Sequence, residues 1–214
     1  MNILLAHGSS DSRHAAQATL LAEQAAVEFG EAIEVCFLSS EAMPEGAHVL
    51  PLLLGEGWHA RNDISRLAKA SACTMMPSLS ARSIPVACMA ADLAIDSYPD
   101  LQASQCSAMF AIYHFEGFET VARALNGLNR RFSDSVVAGI YSSPSLEETL
   151  TQWRDEESEN IVVQPMALFE GHTMEKLRRT VAGSKVDAVI GAALSTHAGF
   201  PGFIADCFRE SHEA

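Results

Sequence analysis

Two stretches of this chain read alike: Pro51-Leu52-Leu53-Leu54-Gly55-Glu56-Gly57 and Pro165-Met166-Ala167-Leu168-Phe169-Glu170-Gly171. Each is an apolar run closed by Glu-Gly, and each leads into an amphipathic stretch. Leu4-Leu5-Ala6-His7 and Ala111-Ile112-Tyr113-His114 form a second matching pair, so a shift near 107 to 114 residues superposes the two halves. Short apolar runs alternating with amphipathic stretches are the pattern of a parallel sheet with crossover helices, and its duplication predicts two such sheets. Strands are expected near 3–7, 33–38, 49–54 and 84–89, then near 109–114, 136–141, 161–164 and 186–191. After Gly8-Ser9-Ser10, Asp11 or Ser12 can cap a helix that Gly30 stops, and Asp63 is placed as the cap of a helix through Ile64, Leu67 and Ala68. Residues 98–107 lack an apolar period, so the domain boundary is set there, dividing the chain into 1–104 and 105–214.

Histidines cluster where these strands should end. His7, His59, His114, His172 and His197 fall at or just after expected strand C-termini, five of the eight in the chain. Open α/β sheets bind ligands outside the carboxyl ends of their strands, and chance would place about one or two of eight there. Neutral imidazoles with carboxylates nearby can grip a divalent metal or carry protons. Packing offers a competing account for each. His114, flanked by Phe115 and Phe118, reads as structural, whereas His172, His197 and Glu170 stay open between cleft and helix-end roles. His14, one turn into a helix, reads as solvated; His48 precedes a strand and His212 lies in the tail.

Bulk properties narrow the field. A net charge of −13 argues against nucleic-acid binding, whose affinity comes from neutralising phosphates. The apolar runs are far shorter than a membrane span, and no cationic region precedes Ile3 as a signal peptide requires. Five cysteines, odd in number and without a Cys-x-x-Cys, read as reduced thiols of a cytoplasmic protein. No Gly-x-Gly-x-x-Gly or Walker loop follows any expected strand, which argues against a nucleotide-binding α/β protein.

His7-Gly8-Ser9 together with Pro51-Leu52-Leu53-Leu54, Gly57, His59, Asp63 and Ile64 resembles the sirohydrochlorin cobaltochelatase and ferrochelatase family. The likeness is specific over roughly residues 1–95 and weaker over 108–205. It implies an α/β fold of two similar flavodoxin-like (chelatase-like) halves, each a four-stranded parallel sheet flanked by helices, facing across a cleft. It implies insertion of a divalent ion (Co2+, Fe2+ or Ni2+) into a tetrapyrrole, with no cofactor required and the metal as substrate. His7 and His59 would be the metal ligands and proton acceptors. Ser10, Trp58 and Ser65 depart from the family pattern, which commonly has Arg, a small residue and Pro there.

The chemistry suits these residue types. Metal insertion removes two pyrrole protons while an incompletely coordinated ion is brought over the ring, and imidazole can bind, release and accept a proton near neutral pH. A carboxylate orients an imidazole or takes the second proton, with Glu56 as catalytic candidate and Glu170 on the matching loop. Ser9 and Ser10 at a helix N-terminus, with Arg13 and Arg61, are expected to meet substrate carboxylates, Trp58 the ring face, and His172 the substrate's other contacts. A non-catalytic metal or tetrapyrrole carrier using the same histidines is the alternative. Fused halves point to a monomer, with a dimer open, and no nucleic-acid or membrane partner is expected.

Overall fold

Strand β1 (Asn2–Ala6) is buried at every position, as a strand covered on both faces by crossover helices must be. It pairs in parallel with β2 (Ile33–Phe37) and β3 (His48–Pro51), and β3 pairs with β4 (Thr74–Met75), giving the order β2-β1-β3-β4. The second half repeats this with β5 (Ser107–Ile112), β6 (Asp134–Gly139), β7 (Ile161–Pro165) and β8 (Ala188–Ile190), in the order β6-β5-β7-β8. The computed structural model describes residues 1–55 and 57–213, with backbone only for 58–60.

Duplication extends to single hydrogen bonds beyond the strand ladders. Leu52 N donates to Leu5 O as Met166 N does to Ala111 O, and Ser80 N donates to Leu53 O as Leu194 N does to Ala167 O. Leu38 N and Ala6 O correspond to Ile140 N and Ile112 O. This last pair aligns His7 with Tyr113, one residue earlier than the His114 that the sequence runs suggested.

Helix α1 (Ser12–Phe29) begins at Asp11, whose carboxylate accepts from Arg13 N, and ends at Gly30 with φ +91°, the left-handed conformation glycine adopts without a Cβ clash. Helix α2 (Trp58–Ala70) begins at Gly57, so Asp63 lies inside it, 3.8 Å from Arg66, and is not its cap. The expected strand at 84–89 is instead part of α3 (Ser83–Asp96). Its run Val86-Ala87-Cys88-Met89-Ala90-Ala91 is apolar on every side, which hides the helical period, and Pro85 sits in the first turn where it breaks no bond. The fourth strand is β4, too short to stand out in the sequence. Helices α4 (Glu119–Asn126), α5 (Leu146–Asp155), α6 (His172–Ser184) and α7 (Phe200–Glu213) complete the chain. No helix among the described residues is long and apolar enough to cross a membrane.

The compact units are not 1–104 and 105–214. One comprises Met1–Arg82 with the C-terminal segment from Ala198, the other Ser83–His197. In the first, α7 packs on α1 and β3, with Phe208 5.7 Å from Phe29 between ring centroids. In the second, α3 packs on α4 and β7. Each sheet therefore receives a helix from the other half of the chain. The apparent seam near residue 104 is a turn region inside the second unit, tied to β7 where Tyr98 Oη donates to Ile161 O at 3.0 Å.

Candidate metal and substrate site

In the first unit, adjacent strands β1 and β3 end side by side at Ala6 and Pro51. His7 follows one strand, and residues 52–57 lead from the other into α2, whose first turn contains His59. Glu56 lies outside the described residues, as do the side chains of Trp58 and His59. Gly8, with φ +88°, turns the chain away from the sheet directly after His7, a conformation other residues rarely take. His7 is exposed, and its Nδ1 is 3.1 Å from Gly8 O. A carbonyl oxygen only accepts, so Nδ1 carries the proton in this bond. In the neutral ring this tautomer leaves the Nε2 lone pair for a metal or a proton.

The loop behind His7 is fastened by its own polar groups. Ser9 Oγ accepts from Asp11 N at 3.1 Å, and Asp11 binds the Arg13 guanidinium with two prongs, Nε to Oδ1 at 3.0 Å and Nη2 to Oδ2 at 2.6 Å. Arg13 thus braces the helix cap. Ser10 is exposed on the same loop, and Arg61 is exposed on α2, where its N donates to Gly57 O.

His14 joins this group, contrary to the solvated reading. It is half-buried, and burial lowers its pKa, with His7 adding to the effect and Asp11 opposing it. Burial and His7 thus favour the neutral form of the His14 imidazole. Thiolates contribute little: burial raises Cys36 and Cys106 and pushes Cys207 up to about 11. No group of three or more metal-ligating side chains gathers among the described residues.

In the second unit, Glu170 pairs with Arg178 at 2.8 Å, and His172 opens α6 with its Nδ1 3.9 Å from Glu175. At the ends of β5 and β6, the rings of Tyr113, His114 and Tyr141 lie against one another with centroids 4.7 to 5.6 Å apart, and Lys176 Nζ sits 3.9 Å from the centre of the Tyr141 ring. Tyr113 and Tyr141 are 44% and 42% exposed. Such a surface can stack on a flat ring while the ammonium meets a carboxylate. The sequence reading missed the tyrosines because Tyr113 continues an apolar run. His197 approaches Asp92 of α3 at 3.8 Å, and Asp92 also holds Arg131 at 2.7 Å, which gives His197 a structural tie. His48 and His212 stack with centroids 4.3 Å apart near the N-terminal ends of β1 and β3, at the opposite sheet edge from His7.

Residues 1–86 match the CbiX family model. No protein of curated function matches the chain in sequence. Among solved structures, the chain is similar to CbiX, the terminal enzyme for biosynthesis of siroheme in denitrifying bacteria, with TM-score 0.78 and 17% identity over 98% of each chain. It is similar to SirB from Bacillus subtilis, solved with Fe3+, with TM-score 0.75 and 14% identity over 98% of this chain and 94% of that one. DR2241 from Deinococcus radiodurans, a multi-domain protein with structural similarity to chelatases, matches with TM-score 0.71 and 15% identity over 98% of this chain and 54% of its own. These likenesses establish a chelatase fold along the whole chain, and the CbiX match supports the family resemblance read from the N-terminal motifs.

Proposed function

Given a CbiX-type N-terminal segment within a chelatase fold, we propose that the protein inserts a divalent metal ion into sirohydrochlorin or a closely related tetrapyrrole, the ion being a substrate. One observation carries this reading. His7 stands at the C-terminal end of β1 with Nε2 available, beside the strand whose following loop enters the helical turn that contains His59. The CbiX match covers both residues.

In this reading His7 and His59 hold the ion weakly and accept pyrrole protons, while Glu56 orients an imidazole or takes the second proton. Ser9, Ser10 and the amides at the start of α1 meet substrate carboxylates, favoured by the helix N-terminus. Arg61 adds charge and Trp58 an apolar face. Arg13 serves indirectly, by fixing Asp11 and hence the loop that follows His7. Glu170, held by Arg178, and His172 are substrate contacts on the rim of the second sheet. Co2+ and Fe2+ are the expected ions, with Ni2+ the third that imidazole suits. The reaction is assigned to the cytoplasm, in keeping with five free cysteines, and to a monomer that needs no separate cofactor.

The test is absorption of the metallated pigment with sirohydrochlorin in large excess over protein and each ion supplied in turn. Many turnovers per chain are expected with at least one ion. A burst equal to the protein concentration, followed by nothing, would instead identify a carrier.

A further inference from the structure

The second unit has a groove of about 720 Å³ between α5 and α6. Its lining includes Arg154, Lys176, Arg179 and Lys185 against one carboxylate, Glu147, and adds Thr151 and Thr180, while the Ser184 hydroxyl in the same lining is spent on Val181 O. Four of the fourteen Lys and Arg residues of a −13 chain thus share one depression. Such a local positive field persists because more distant acidic groups are screened beyond roughly 8 Å at physiological salt.

The cations are held in different ways. Arg154 pairs with Asp155, and Lys176 rests over Tyr141. Arg179 Nε donates to Glu175 O at 3.4 Å, and neither Arg179 nor Lys185 has an ion-pair partner among the described residues. Lys185 closes α6 in the left-handed conformation, φ +61°, where glycine is the usual residue. A lysine there carries the left-handed penalty that glycine avoids. From Lys176 to Lys185 the helix rises about 13 Å, which spaces the charges for an extended ligand.

We propose that this groove binds a small multivalent oxyanion, a polyphosphate or polycarboxylate, at a position that shares only Lys176 with the Tyr141 face of the rim. Its volume lies in the range of small-molecule sites, roughly 300–1,000 Å³. Arginine forks and hydroxyls are the groups that grip such oxygens.

Calorimetric titration of the full chain with tripolyphosphate and, separately, with citrate tests this. Saturable one-to-one binding is expected for at least one probe, and the tighter one identifies the anion class. Lys185→Gly removes a charge while relieving the left-handed strain, so it should raise Tm and weaken binding about fivefold or more. Arg179→Gln should weaken it similarly, and Lys69→Ala, on α2 outside the groove, should leave it unchanged. Absence of saturable binding by both probes, or equal weakening by all three substitutions, would overturn the proposal.

Discussion

His14 shows how burial changes the charge state that a single residue favours. Burial first, and His7 second, hold its pKa below the usual histidine value, against the opposing pull of Asp11. His48 is lowered likewise, by burial, then His212 and the N-terminal amine. A histidine whose native pKa is depressed binds fewer protons folded than unfolded in the window below 6.5, so stability rises with pH across that window and falls as acid is added. The urea midpoint should therefore drop between about pH 7.5 and pH 5.5, and the His14→Gln, His48→Gln double variant should show a flatter dependence. An equally steep drop in that variant would place the linkage elsewhere. Gly8→Ala should cost about 1 kcal/mol, the left-handed penalty, and displace His7. Of these residues, His7 and Gly8 were legible as a strand end and its turn. His14 was not, because helical position alone reads it as solvated, and only the Gly8 turn shows what lies near it. Arg13 was read as a substrate contact for the same reason; folded, its guanidinium lies on the cap carboxylate two residues earlier.

At the scale of elements, caps separate what the sequence reveals from what it conceals. Asp11 and Gly30 mark the two ends of α1 as expected, since each supplies the polar group or the backbone conformation that a helix end demands. Asp63 looked equally suitable, yet α2 had already begun at Trp58. Asp63→Ala should therefore change stability by no more than about 0.5 kcal/mol, the scale of a surface pair. Ser145→Ala breaks the capping box in which Ser145 Oγ accepts from Glu148 N and Glu148 Oε2 accepts from Ser145 N. It should cost about 1 kcal/mol by urea unfolding. Reversed magnitudes would mean that the caps are misassigned. Seven of eight strands lay where alternating apolar runs put them. The exception, 84–89, shows the limit: a run buried on all sides has no period to read, and only its length could favour the helix.

For the whole molecule, the consequential feature is that α3 and α7 each pack in the compact unit built mainly from the other half of the sequence. Local pattern cannot show it, because an apolar helix face does not say which sheet will cover it. Phe200, Ile204 and Phe208 of α7 are fully buried in the first unit. Phe208→Ala should cost about 3–5 kcal/mol and should lower amide exchange protection in α1 as well as α7, although they lie at opposite ends of the sequence. Loss confined to α7 would argue against this packing. By the same reasoning a fragment of residues 1–104 lacks the helix that covers α1 and β3, and should not unfold cooperatively.

The pairing of His7 with His59 on one ion is tested most directly by turnover of sirohydrochlorin metallation in His7→Ala, His59→Ala and the double variant. Each single variant is expected to lose at least about tenfold, about 1.4 kcal/mol of barrier. The double variant should fall little below the slower single one, as residues acting as a unit do. A wild-type rate in either single variant, or losses that simply multiply in the double, would contradict a shared ion.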